Sequence, residues 1–101
     1  MKNISKYEAI NFLNNRDAIF LDVRSYSEFE YGHIPNAISI PIDELNEKID
    51  LLEPYKNENI VIYCSSGSRS FTASSFLSRN GFRYIYNLTG GISPLQNYLV
   101  R

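Results

Sequence analysis

The sequence predicts an α/β fold, a single doubly wound, mostly parallel sheet with helices on both faces. Two observations predict it. Short β-branched apolar runs alternate along the chain with stretches whose apolar residues recur at helical spacing. No linker, internal repeat or low-complexity tract interrupts that alternation. At 101 residues the chain has material for one core and not two, so residues 1–101 are expected to form one domain.

The elements follow in order. Lys2–Ile4 is a candidate edge strand. Ser5 and Glu8 have capping-box spacing, and Ala9, Ile10 and Leu13 then mark the apolar face of a helix. Residues 18–23 read as a buried strand. Ser25 and Glu28 form a second capping box, opening a short helix that should stop near Gly32. Residues 37–40 are a short strand bracketed by Pro35 and Pro41. Asp43 is expected to cap a helix whose Leu45, Ile49 and Leu52 share a face and whose end Pro54 sets. Residues 60–63 (Ile-Val-Ile-Tyr) make the next strand. Ala73, Phe76 and Leu77 then place a helix over Ser68–Arg79, with Gly81 as its C′ residue. Tyr84–Leu88 is the last strand, Gly90-Gly91 turns the chain, and Ser93 is expected to cap a final helix with Pro94 at its first position.

Composition narrows the functions. Hydrophobic residues are 44% of the chain, enough for a folded core. The net charge is −1 and the cations are scattered, so no nucleic-acid partner is expected. No apolar stretch approaches the roughly 20 residues that span a bilayer, so no membrane partner is expected either. Residues 1–8 lack the apolar core of a signal peptide. A lone cysteine cannot form an internal disulfide, and with a single histidine it cannot build a multi-cysteine zinc site. A reducing cytoplasm is the expected location.

That cysteine, Cys64, stands where the strand 60–63 meets a helix start. In parallel open sheets, ligands bind beyond the carboxyl ends of the strands, and helix N-termini favour anions. A free cysteine of pKa about 8.5 is only about 3% thiolate at pH 7. Lowering that pKa by roughly two units takes about 2.7 kcal/mol of preference for the anion. Backbone N–H groups of Ser65, Ser66, Gly67, Ser68 and Arg69, the helix end and the Arg69 guanidinium are candidates to supply it. Gly67 lets the loop curl, and the hydroxyls of Ser65, Ser66, Ser68 and Ser70 are further donors. The plainer alternative, a small buried hydrophobe, does not need the polar, arginine-terminated loop that follows.

Two chemistries use such a cradle: phosphate-ester cleavage by a cysteine nucleophile, and carriage of sulfane sulfur as a persulfide. Four residues separate Cys64 from Arg69. Cysteine phosphatases resemble a cysteine and arginine separated by five, and the shorter loop suits one added sulfur better than a tetrahedral phosphate. Sulfur transfer also needs no acid to protonate its leaving group.

At this point the chain resembles the rhodanese domain family, in its single-domain form, over nearly its whole length. Asp22-Val23-Arg24, Glu28-Phe29, Gly32-His33-Ile34-Pro35 with Ala37, and Ile40-Pro41 look like the N-terminal signature. Cys64 to Ser70 is similar to the active-site loop, and Gly90-Gly91 to the late glycine pair. The resemblance implies a rhodanese-type sulfurtransferase. Sulfane sulfur would pass from thiosulfate, polysulfide or a protein persulfide to cyanide, a thiol or a protein, through a persulfide on catalytic Cys64. It implies that the Ser65 to Arg69 amides hold the terminal sulfur, and that no metal or organic cofactor takes part. The chain departs from the pattern at Ser65 and Ser66, where many members carry a basic residue, at Asn36, and at Ile92-Ser93-Pro94, which lacks the usual tryptophan.

The other marked residues read more plainly. His33 is expected to make structural hydrogen bonds, since a thiolate needs no base. Asp22 and Arg24, ending a strand on the same sheet edge as Cys64, are expected to orient neighbouring loops. Glu28 reads as a helix-capping residue, and Arg69 as binding an anionic donor, fixing the loop, or both. Beside the enzyme stand two alternatives: a sulfur carrier that delivers only to a protein partner, and a cysteine phosphatase or arsenate reductase with a shortened loop.

Overall fold

The computed structural model describes all residues, Met1–Arg101. Its five strands are β1 (Lys2–Ile4), β2 (Ile19–Asp22), β3 (Ile38–Ser39), β4 (Asn59–Tyr63) and β5 (Tyr84–Leu88). They form one sheet in the order β1-β5-β4-β2-β3, and every pairing is parallel. The candidate edge strand is therefore real, held on β5 by the register Asn3 to Asn87. The helices are α1 (Lys6–Asn15), α2 (Tyr26–Tyr31), α3 (Leu45–Lys48) and α4 (Ser68–Arg79). None is long and apolar enough to cross a membrane.

Strand β4 lies at the sheet centre, and its side chains alternate between two cores. Ile60, Ile62 and then Cys64 join Leu21, Val23, Leu45, Leu52, Ala73 and Leu77 on the face covered by α4. Val61 and Tyr63 join Ile4, Ala9, Phe20, Ile34 and Leu88 on the face covered by α1. Both halves of the β-branched run are thus buried, as a central parallel strand requires. Because the period is two, Cys64 continues the row of Ile60 and Ile62 and its sulfur comes to lie under the start of α4.

Both capping boxes form. Ser5 and Glu8 exchange side-chain and backbone hydrogen bonds at the start of α1, and Ser25 and Glu28 do so at the start of α2. Six residues are too few for an isolated helix to persist, so α2 depends on its cap and its packing.

Two expectations need correction. Residues 42–55 are not one helix capped by Asp43: a 3-10 turn (Ile42–Glu44) leads into α3, and a second 3-10 segment (Ile49–Tyr55) follows. Asp43 makes no capping bond, and Pro54 lies inside the second segment rather than setting its end. Leu45 and Leu52 still reach the core, because burying them matters more than regular helix geometry. Likewise Ser93 does not cap the final turn (Ser93–Tyr98), which is 3-10 and starts after Ile92.

Candidate functional site

Cys64 follows the last residue of β4 and is completely buried. Its sulfur accepts hydrogen bonds from the backbone N–H of Gly67 at 3.1 Å and of Ser70 at 3.3 Å. The Ser70 hydroxyl lies 3.4 Å from the sulfur and donates to the Gly67 carbonyl at 3.1 Å. While the thiol keeps its proton, S–H donates to Ser70 Oγ; once it ionises, that hydroxyl has a proton to turn toward the sulfur. Burial pushes the Cys64 pKa up. The Ser70 hydroxyl and amide, with the Gly67 and Ser66 amides, outweigh burial and bring it below the ordinary thiol value.

The loop holds this shape through contacts that close on it from the far end of the chain. Gly67 has φ +102°, and a Cβ there would stand 3.2 Å from the Gly90 nitrogen. Gly91 has φ +79°, and a Cβ there would overlap the Ser65 carbonyl and stand 2.8 Å from the Ser66 nitrogen. The Ile92 amide donates to the Cys64 carbonyl at 3.0 Å. The glycine pair is thus the floor on which the Cys64 loop rests.

Arg69 does not point a free guanidinium at the sulfur. It forms a two-pronged pair with Glu28, Nη1 to Oε1 at 2.8 Å and Nη2 to Oε2 at 3.1 Å. Ser65 Oγ donates to Glu28 Oε2 at 2.8 Å and accepts from Arg69 Nη2 at 3.3 Å. Arg69, above all, holds the Glu28 carboxyl far below the usual carboxylate range, against the opposing effect of burial. Glu28 therefore caps α2 and also ties α2 to both ends of the Cys64 loop. The sequence reading found the first role only; capping-box spacing is local, whereas the partner lies 41 positions away.

Asp22 and Arg24 form a second, buried pair. Arg24 Nη2 donates to Asp22 Oδ2 at 2.7 Å and to the Gly32 carbonyl at 2.6 Å, while Nε reaches both carboxylate oxygens at 3.1 Å. Arg24 also lies 5.6 Å from the centre of the Tyr63 ring, and the Tyr63 hydroxyl accepts from the Ile34 amide. None of these bonds reaches residues 64–70; the pair braces the end of α2. His33 Nδ1 lies 2.8 Å from the Phe29 carbonyl, and its ring stacks on Phe29 at 3.7 Å. No group of three or more His, Cys, Asp or Glu stands together as a metal site.

Residues 5–97, everything from the first helix cap to the last turn, match the family described as the rhodanese-like domain. The chain belongs to that family. A solved rhodanese-related protein from Thermoplasma volcanium superposes with a TM-score of 0.86 at 33% identity, covering 99% of this chain and 98% of that one. A human single-domain sulfurtransferase superposes with a TM-score of 0.78 at 25% identity, covering 90% and 91% of the two chains. Among curated proteins, the tRNA uridine(34) hydroxylase of Photorhabdus laumondii is 40% identical over 92 residues, or 86% of this chain and 26% of that protein. The rhodanese-like chain thus spans about a quarter of the length of such relatives.

Proposed function

We propose that this rhodanese-like domain is a sulfurtransferase that carries sulfane sulfur as a persulfide on Cys64. The observation that carries the reading is the Cys64 sulfur itself, a buried group given two amide donors and a neighbouring hydroxyl in the N-terminal turn of α4. A structural cysteine needs none of these. The thiolate attacks the outer sulfur of a donor, the donor's S–S bond breaks, and its electron pair leaves with the departing anion. The amides of Ser68 and Arg69, at the first two positions of α4, have no intramolecular acceptor and suit the added sulfur. An acceptor thiolate or cyanide then attacks that sulfur and restores the Cys64 thiolate. A thiol that must stay reduced between turnovers fits a cytoplasmic location.

The test is the mass of the intact protein after incubation with a thiosulfonate or polysulfide. A gain of one sulfur, removed by cyanide and absent in Cys64→Ser, is the expected result. Full transfer activity in Cys64→Ser would sink the mechanism.

The identity to tRNA uridine(34) hydroxylases favours a second reading, in which Cys64 is the thiol of a module serving a reaction on tRNA. Under it, tRNA from cells lacking the chain loses hydroxylated uridine, and Cys64→Ser fails to restore it.

A further inference from the structure

Every cation near the Cys64 loop is already matched to a carboxylate. Arg69 is held by Glu28, Arg24 by Asp22, and Lys48 by Glu44 at 2.6 Å. A groove of about 290 Å³ opens beside Arg69, walled by Tyr26, Ile42, Asp43 and Glu44 among others. Asp43 is exposed and has no ion-pair partner. The loop residues Ser65 and Ser66 are uncharged. An incoming donor therefore meets a paired guanidinium, an unmatched carboxylate and a sulfur whose amide donors favour its anionic form.

We propose that Glu28 is the specificity-determining residue of this site, and that by occupying Arg69 it selects sulfane donors with low charge at the reacting end over dianions such as thiosulfate. This rests on the persulfide reading of Cys64. The selected class comprises hydropersulfides (R–S–SH), and thiosulfonates serve as its monoanionic probe. With a hydropersulfide, the Cys64 thiolate bonds to the outer sulfur, the inner S–S bond breaks, and R–S⁻ leaves with the electron pair while the proton stays on the transferred sulfur. With methanethiosulfonate the leaving group is methanesulfinate, and with thiosulfate it is sulfite. These last two donors have the same reacting geometry and differ by one charge, so their ratio isolates electrostatics from loop shape.

Glu28→Gln keeps an oxygen acceptor for the Ser25 cap, because glutamine serves in capping boxes, and it frees the Arg69 charge. In the native protein, kcat/KM for methanethiosulfonate is expected to exceed that for thiosulfate by about tenfold, one full charge acting at a partly exposed site. Glu28→Gln should bring the ratio close to one, and Arg69→Ala added to it should restore the preference. Ser66→Lys, at an exposed loop position, should also narrow the ratio with Glu28 intact. If Glu28→Gln does not fold, Glu28→Asp, whose shorter side chain draws the carboxylate back from Arg69, decides the matter and should narrow the ratio as well. Persulfide formation from both donors with a ratio that no folded Glu28 variant moves would overturn the role of Glu28 and leave the persulfide reading standing, whatever Ser66→Lys does. Absence of the persulfide with either donor would overturn both.

Discussion

Gly91 faces the Ser65 carbonyl so closely that a methyl group on its α-carbon would overlap that oxygen. The neighbouring Gly90 also has a positive φ, +83°, yet nothing lies within 4 Å of where its Cβ would be. The two glycines therefore separate backbone strain from steric conflict. Gly90→Ala is expected to cost about 1 kcal/mol, the ordinary penalty for a left-handed alanine. Gly91→Ala adds the displacement of the Cys64 loop and is expected to cost about 3 kcal/mol or more. Urea unfolding midpoints give both values, and equal losses would show that the contact with Ser65 yields without cost.

The Ser70 hydroxyl can be tested at constant packing, since Ser70→Ala removes only the oxygen. One hydrogen bond to a charged sulfur is worth about 1.4 kcal/mol, so alkylation of Cys64 by iodoacetamide at pH 7 should slow about tenfold. The rate-against-pH curve should move to higher pH. The folded protein holds the Cys64 pKa below its unfolded value, so the thiolate's stabilisation is fully present above the unfolded pKa and fades as pH falls through the folded one. The stability advantage of the native protein over Cys64→Ser should accordingly grow on going from acid toward pH 9, as chemical unfolding at a series of pH values would reveal.

The Glu28–Arg69 pair is partly exposed, with about a third of each side chain open to water, so its direct coupling is screened. A double-mutant cycle of Glu28→Gln and Arg69→Met should return about 0.5–1 kcal/mol near neutral pH. Arg69 holds Glu28 below its ordinary value of 4.5, which fixes the sign of the pH dependence. The coupling is present above that value and disappears as pH falls through the folded pKa, because protonation removes the carboxylate that Arg69 grips. A coupling that rose on acidification would contradict the pairing.

How much of this could be read in the chain follows from the range of each interaction. Capping boxes at Ser5 and Ser25, the helix Ser68–Arg79 and the strand Tyr84–Leu88 depend on neighbours within a few residues, and their boundaries were legible. Cys64 stood out because a strand end, a glycine and an arginine follow one another in sequence. The break-up of residues 42–55 was not legible, since the spacing of Leu45, Ile49 and Leu52 satisfies an α-helix as well as the mixed 3-10 path observed. Nor was the engagement of Arg69, because nothing local to Glu28 says that α2 packs against the loop. The glycine pair could be recognised as a turn, but its contact with Ser65 exists only after β5 returns beside β4.

The buried Asp22–Arg24 pair offers the sharpest contrast between breaking an ion pair and replacing it. Both side chains are nearly excluded from solvent, and Asp22 also accepts the Arg24 amide at 2.9 Å. Burial opposes the charge on Arg24, and the bonds from Asp22 overcome it, keeping the guanidinium pKa above its usual value. Arg24→Met leaves a carboxylate without its partner and strips the Gly32 carbonyl of a donor, so a loss of about 3–5 kcal/mol is expected. Asp22→Asn combined with Arg24→Met removes the uncompensated charge and should recover a good part of that loss. Guanidinium denaturation of the three variants measures this directly. If the double variant proved less stable than Arg24→Met alone, the carboxylate would be stabilised by something other than Arg24, and the bracing role given to this pair at the end of α2 would be wrong.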